Sequence, residues 1–421
     1  MRHIVQRALI AALFASTASV AVFTAYEPAF SAAAPARAKQ TGPVARAAVG
    51  NNINESIKLI QAMDFAGALA KVQLADKTDK KTPYEEYLVA KFLGVIAIQQ
   101  PQRDFAAATV AYNRMMASGG APDADKEGMY DLAMKLNYQA KDYAKVIEAS
   151  NALKALRPLD ETGYEVLSQT YFAMDDLPNT IKTAKESVAA IKASGQRPAA
   201  GVLGILLNAQ ARAMDEGYRT TLEELAMVSN QAEVWGQVMD FALSTMDITD
   251  HQLLNLFRLA LRVGTMRETD YPAMATISLS SGLSAEGKNV LEKAIMDGTI
   301  MRSGSVAGLI TQANGLVDGE KKALPELAGE AVKQPNGEIY VKLAESYWVN
   351  GMTNEALDSF QKGLEKGGIK DQGDAWTTYG IVLMDAGKKA EAIEAFQKAE
   401  AAGGTSAQAA RPWSLFSRRT G

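Results

Sequence analysis

Residues 340–363 read YVKLAESYWVNGMTNEALDSFQKG, and residues 376–399 read WTTYGIVLMDAGKKAEAIEAFQKA. The landmarks of the first stretch are Tyr340, Leu343-Ala344, Tyr347, Ala356, Phe360 and Gly363. Trp376, Tyr379-Gly380, Leu383, Ala392, Phe396 and Ala399 follow 36 residues later. Apolar residues three and four apart share one face of a helix, so each stretch opens as an amphipathic helix. Asn350-Gly351 and Ala386-Gly387 supply a turn, because glycine accepts the left-handed conformation that closes a helix. Ala356 and Ala392 then lead a second helix. They are small enough to lie close to Ala344 or Gly380, while Phe360 and Phe396 fill the seam.

This order of a bulky residue, Leu-Gly, Tyr, Ala, Phe and Ala resembles the tetratricopeptide repeat (TPR). An earlier pair of copies recurs at 34 residues, the period of that repeat: Tyr130 matches Tyr164, Asp142-Tyr143 matches Asp176-Leu177, and Ile147 matches Ile181. Val146 and Thr180 replace the small residue of the second helix. Leu93-Gly94 with Asp104-Phe105-x2-Ala108-x3-Tyr112 forms another copy, with a longer turn at 99–103. Asp64-Phe65-x2-Ala68 gives half of a first unit, so a corner of Asp plus an apolar residue recurs at 64, 104, 142 and 176. Between 196 and 336 the landmarks thin. Residues 203–227 and 235–263 keep helical periodicity, and Tyr271, Ala275, Gly282, Leu291 and Ala294 keep TPR-like offsets, with Pro272 and Gly287 departing from the pattern.

The expected fold is therefore all-α, an α-solenoid of antiparallel helix pairs wound as a TPR-like superhelix. The expected organisation is a signal peptide at 1–33, a disordered linker at 34–50 and N-terminal repeats at 51–195. Divergent repeats or an insert at 196–336, C-terminal repeats at 337–404 and a tail at 405–421 complete it. We favour drifted repeats for the middle, with an irregular joint around 298–319. A distinct helical domain there, making the chain a ligand-binding or enzyme-accessory module, is the alternative.

Export is read from Arg2 and Arg7 ahead of an apolar run at 8–22, which is short for a membrane span, and from small residues at 31–34 that allow cleavage near Ala33 or Ala34. An uncleaved N-terminal anchor is the competing reading. The expected location is the periplasm or outside the cell, with no stable membrane span after cleavage. Pro35 and Pro43 break helix in the linker, which has no apolar face to bury. The chain of 421 residues holds 48% hydrophobic and 22% charged residues, a globular balance, with a net charge of −4 and no cysteine. Disulfides, thiol nucleophiles and Cys-based zinc sites are excluded, and no basic stripe offers itself to nucleic acid.

Chemistry is sparse. With His3 in the signal segment, His251 is the only histidine of the expected mature chain, and its place at a helix start fits a structural role. Three motifs imitate sites. Gly282-Leu-Ser-Ala-Glu-Gly287-Lys288-Asn289 falls one residue short of a phosphate-binding loop and lacks the Mg²⁺-binding hydroxyl at Asn289. It fits instead an inter-helix turn with Ser284 as N-cap. Asp123-Ala-Asp125-Lys-Glu127-Gly128 opens like a calcium loop but carries Met134 where a bidentate Glu belongs. It reads as an acidic first helical turn. Ser359-Phe360-Gln361-Lys362 matches a Ser-x-x-Lys pattern, yet Phe360 is already a core landmark. The pairs Glu85-Glu86 and Glu223-Glu224 point apart on their helices and read as solvated face. No catalytic residue, cofactor or metal is expected.

The resemblance implies that the first helices line a concave groove that holds a protein or peptide. One groove position carries Tyr138, Phe172 and Trp348 in three copies and Met384 in the last. Lys135, Gln169, Glu345 and Asp385 would be the polar contacts. Aromatic and Met anchors suit such a role. Burial against the next repeat is the competing reading. The Lys/Asn/Arg clamp of chaperone-binding TPRs is replaced by Asp131, Leu132, Glu165 and Val166, and the mixed charge disfavours a strongly acidic ligand. In the tail, Trp413 and Phe416 either dock on the last repeat as a cap or form a short disordered recognition segment.

Overall fold

The computed structural model describes residues 43–244 and 247–419. The expected signal peptide and most of the expected linker lie outside the described residues. Within them the chain is all-α, an α-solenoid of antiparallel pairs resembling TPR proteins. Two compact units meet between Glu216 and Gly217.

Unit 1 is built of four helical hairpins and a closing helix. The hairpins are α1 (Ala47–Gln61) with α2 (Phe65–Asp76), α3 (Pro83–Gln99) with α4 (Phe105–Ser118), α5 (Asp123–Gln139) with α6 (Tyr143–Lys154), and α7 (Glu161–Ala173) with α8 (Leu177–Ala193). Helix α9 (Ala200–Ala213) packs on α8 and α7 and closes this unit.

The recurring Asp corners now have a physical reason. Asp64, Asp104, Asp142 and Asp176 are the N-caps of α2, α4, α6 and α8, each accepting a backbone N–H three residues on. Three of them follow a residue forced to positive φ: Met63 at 58°, Lys141 at 59° and Asp175 at 61°. The C-terminal copies solve the same turn with Gly351 and Gly387, at 78° and 74°, and then lack a side-chain cap at Met352 and Lys388.

The expected linker is shorter than 34–50. Residues 47–50 are already the first turn of α1. Arg46 is fixed by Glu85, which accepts from its backbone N–H at 2.8 Å and from its guanidinium at 2.7–3.1 Å. Glu85 is not solvated face: it is fully buried and closes the capping box of α3 with Thr82. The bond from Arg46 drops its carboxyl to a pKa of about 2. Its neighbour Glu86 pairs with Arg114 at 2.6 Å.

Unit 2 opens with α10 (Tyr218–Val228), α11 (Ala232–Ser244) and α12 (Asp250–Val263). The hairpin of α13 (Asp270–Ser280) and α14 (Ser284–Met296) follows. Then come the long α15 (Gly304–Lys333) and the two best repeats, α16 (Glu338–Val349) with α17 (Thr353–Lys366) and α18 (Gln372–Asp385) with α19 (Lys389–Ala401). Phe396 lies so close to Gly380 that a Cβ there would stand 2.6 Å from its ring. Among the described residues no helix is long and apolar enough to cross a membrane.

Several expectations are corrected in this unit. The joint at 298–319 is irregular only to Ser303; α15 then runs for 30 residues with Pro325 inside it. Ser284 is the first residue of α14 rather than its cap, and its N–H and hydroxyl bond Glu320 instead. A Cβ on Gly287 would meet Leu279 at 2.7 Å and the Ala275 carbonyl at 3.0 Å, which explains that glycine by helix contact. Glu223 is held by Arg219 at 3.0 Å and by Arg411 at 2.5 Å, so it too is no solvated residue. The tail is helix α20 (Gly404–Ser417), with Trp413 fully buried, stacked on Phe396 at 5.9 Å and edge-on to Phe416 at 6.0 Å. Residues 217–336 share one compact unit with 337–421, so the expected boundaries at 195/196 and 336/337 do not mark the division.

A left-handed conformation costs a non-glycine residue about 1–2 kcal/mol, partly offset in a glycine variant by the larger entropy of its unfolded chain. Lys141→Gly is therefore expected to stabilise unit 1 by about 0.5–1 kcal/mol. Denaturant unfolding followed by circular dichroism would read this, and a loss of stability would refute the assignment of strain to that turn.

Candidate partner-binding surfaces

The expected groove residues fall on two separate faces, one in each unit. In unit 1 they line up along the first helices α5 and α7. The Tyr138 hydroxyl donates to Gln169 Oε1 at 2.6 Å, and Gln169 Nε2 donates to Glu165 Oε1 at 3.0 Å. Lys135 pairs with Asp131 at 2.7 Å. The Arg212 guanidinium lies over the Phe172 ring at 5.3 Å from its centroid and also pairs with Asp175. Tyr138, Gln169 and Phe172 are all half-buried, so the face is neither sealed into the core nor fully solvated. Burial raises the pKa of Glu165, and Glu161 raises it further.

Asp125, singled out by the calcium-loop imitation, sits in the acidic first turn of α5 as expected. It accepts from the Tyr87 hydroxyl at 2.5 Å and from Lys91 at 2.9 Å.

In unit 2 the first helices α16 and α18 are not open. Helix α12 lies against α18 and α20 and presents His251, Asn255, Arg258 and Arg262 along one face, at the spacing of a single helical stripe. His251 stands between two carboxylates: Nε2 meets Glu345 of α16 at 2.8 Å, and Nδ1 meets Asp374 of α18. Asn255 donates to Asp374 at 2.9 Å and to Thr378 at 3.0 Å. Arg258 pairs with Glu286 of α14 at 2.7 Å and reaches Glu345 at 3.6 Å. Arg262 pairs with Asp385. Gln252 donates to Asp371 at 2.9 Å and to Ser406 at 3.1 Å, while Trp413 Nε1 donates to the Asn255 carbonyl at 2.8 Å.

Glu345, expected as a partner contact, is thus buried and occupied from within the chain. Its own burial would raise its pKa, but His251 and Arg258 override that and hold it below the usual carboxylate range. His251 does sit in the first turn of α12, as expected. Its side chain does far more than a helix start requires.

Trp348 has a different fate. The Arg258 guanidinium covers one face of its ring at 4.7 Å, and its Nε1 donates to Asp385 at 3.0 Å. The indole then borders an open cleft of about 380 Å³. Leu261, Met274, Val290, Val349 and Ile381 give the cleft apolar walls, with Arg262, Asn289 and Lys293 among its polar edges. Met384 is half-buried and does not line it. Sequence reasoning had this helix within 235–263 but missed its polar stripe, although the spacing His-x3-Asn-x2-Arg-x3-Arg was there to be read.

No protein-family model matches the chain, and no curated protein matches it. Among solved structures, Naa15/Naa10 bound to HypK-THB aligns with 14% identity over 84% of this chain and 63% of that one, with a TM-score of 0.38. The pentatricopeptide repeat protein PPR10 in complex with an 18-nt psaJ RNA element gives 15% identity over 83% and 58%, with a TM-score of 0.24. The P58(IPK) TPR domain gives 13% identity over 87% and 98%, with a TM-score of 0.21. The chain therefore spans less than two thirds of the first two. At such scores these likenesses carry no functional argument, and the repeat fold is read from the helices themselves.

Glu345→Ala would leave His251 and Arg258 without the buried carboxylate they share. Breaking such a cluster from one side is expected to cost unit 2 about 3 kcal/mol, read as a lower denaturant midpoint by tryptophan fluorescence. A change below about 0.5 kcal/mol, the range of ordinary surface substitutions, would contradict it.

Proposed function

We propose that the protein is an exported TPR-type scaffold that acts by holding a protein or peptide partner in the cell envelope, and that it is not an enzyme. The observation that carries this reading is the open cleft beside Trp348. It combines an aromatic wall, aliphatic sides and a charged rim of both signs, the composition of a hot-spot pocket for an anchoring side chain. The half-buried Tyr138–Gln169–Phe172 face of unit 1 offers a second place for the same kind of contact. Catalysis finds no support in the residues: the chain has two histidines and no cysteine, and both ring nitrogens of His251 are already taken by carboxylates.

Leu261 lines the cleft and is 37% exposed, so it can be changed without emptying the core. Site-specific photocrosslinking from Leu261 and Tyr138 in intact cells is expected to capture a discrete protein partner. Leu261→Glu should lower recovery at the cleft at least tenfold, the effect of about 1.4 kcal/mol. Undiminished recovery would remove the cleft from the reading.

Export rests on the sequence of the first 34 residues. Terminal sequencing of the protein from fractionated cells is expected to give a start near Ala34 or Pro35 in the envelope fraction. An intact Met1 in the cytosolic fraction would overturn the location.

A further inference from the structure

Imidazole nitrogens differ in kind. A neutral ring has one N–H donor and one lone pair, and only the protonated ring donates from both sides. His251 has a carboxylate at each nitrogen, Glu345 at Nε2 and Asp374 at Nδ1. Both sites are satisfied together only by an imidazolium, since a lone pair turned toward a carboxylate is repelled. The side chain keeps 28% exposure, so water can still deliver or remove the proton.

The charged groups around it come from each helix packed there. Helix α16 gives Glu345, α18 gives Asp374, and α12 itself gives Arg258, whose own partner is Glu286 of α14. Asp371 of α18 is engaged one step away by Gln252. With the proton in place, His251 and Arg258 oppose Glu345, Asp374 and Glu286, a local balance of −1 (two positive, three negative). Without it the balance is −2, and Asp374 keeps only neutral donors, Asn255 among them.

We infer that His251 is a proton-operated clasp, whose imidazolium pins α12 onto the first helices of the C-terminal repeats and whose deprotonation releases that hold. The clasp joins residues 94 and 123 positions apart in the chain, so it holds unit 2 closed on itself rather than stiffening one hairpin. Burial lowers the pKa of His251, but the two carboxylates outweigh it and raise the value well above 6.5. The sign follows. The clasp contributes fully below the unfolded value near 6.5, and its contribution is lost as pH rises from there through the folded value. On the acid side the Glu345 arm persists, because Glu345 is held below the usual carboxylate range.

All four tryptophans, Trp235, Trp348, Trp376 and Trp413, belong to unit 2. Tryptophan fluorescence of the full chain therefore reports that unit alone. Thermal unfolding would be followed from pH 6.5 to 9.5 for the wild type and for His251→Gln, which keeps a hydrogen-bonding amide and cannot gain the proton. The wild type is expected to melt higher at pH 6.5, with the gap between the two closing steadily toward pH 9.5. A gap that stays constant over that range would overturn the clasp. Should His251→Gln fail to fold, ring-nitrogen NMR of the labelled wild-type chain decides alone. Two protonated nitrogens at pH 7.5 are expected for His251, and a neutral tautomer there would overturn the clasp.

Discussion

The structure depends on how closely two helices of a hairpin can approach. Phe396 lies against Gly380 with no room for a single added carbon, and Phe360 and Ala344 are both fully buried in the preceding copy. Such a crossing fixes the separation of the pair, and the separation fixes which faces remain to pack on the next pair. Because interiors are close-packed, an error of one methyl group at the crossing would be felt along the stack. The turn between the helices is the second half of the same constraint. Most of these turns carry one left-handed residue, supplied by glycine in the C-terminal repeats and by a strained residue backed by an Asp cap at three of the N-terminal corners, while the longer turn at 99–103 does without one.

From this frame the two units diverge. Unit 1 leaves the face of its first helices half-open, with Tyr138, Gln169 and Glu165 joined by hydrogen bonds and Phe172 under a guanidinium. Unit 2 fills the corresponding face with its own helix. Helix α12 is also fixed through Leu254, Leu256 and Leu259, which are all fully buried around the polar stripe. It is a strut of the core and not a loosely held cover. What remains open in unit 2 is the cleft at its edge, where Trp348 is oriented by Arg258 on one side and Asp385 on the other.

The all-α repeat fold was legible wherever landmarks were apolar or small, because those residues are chosen by packing and leave a period behind. Hence 340–363 and 376–399 are hairpins as read, and the Asp corners mark second-helix starts. Polar placements were not legible. Whether Glu85 is solvated or sealed depends on Arg46, 39 residues away, and periodicity is silent about such pairs. Glu345 looked like a free groove residue for the same reason. His251 was read by its neighbours in sequence, whereas its carboxylates come from two other helices. The tail hid a helix because Gly403 and Gly404, both at positive φ, mark a stop that is followed at once by a new start.

The closure of unit 2 bears on how the chain reaches its native state. Its fastening bonds span long stretches of sequence: 123 residues from His251 to Asp374, 158 from Asn255 to Trp413 and 188 from Glu223 to Arg411. Unit 1 is stitched mainly by neighbours, hairpin by hairpin. Folding slows as the mean separation of contacting residues grows. Unit 1 can thus assemble progressively as it leaves a ribosome. Helix α12 can pack on α13 and α14 first, but the fastening of α10, α11 and α12 to α20 waits until residues 404–417 have emerged.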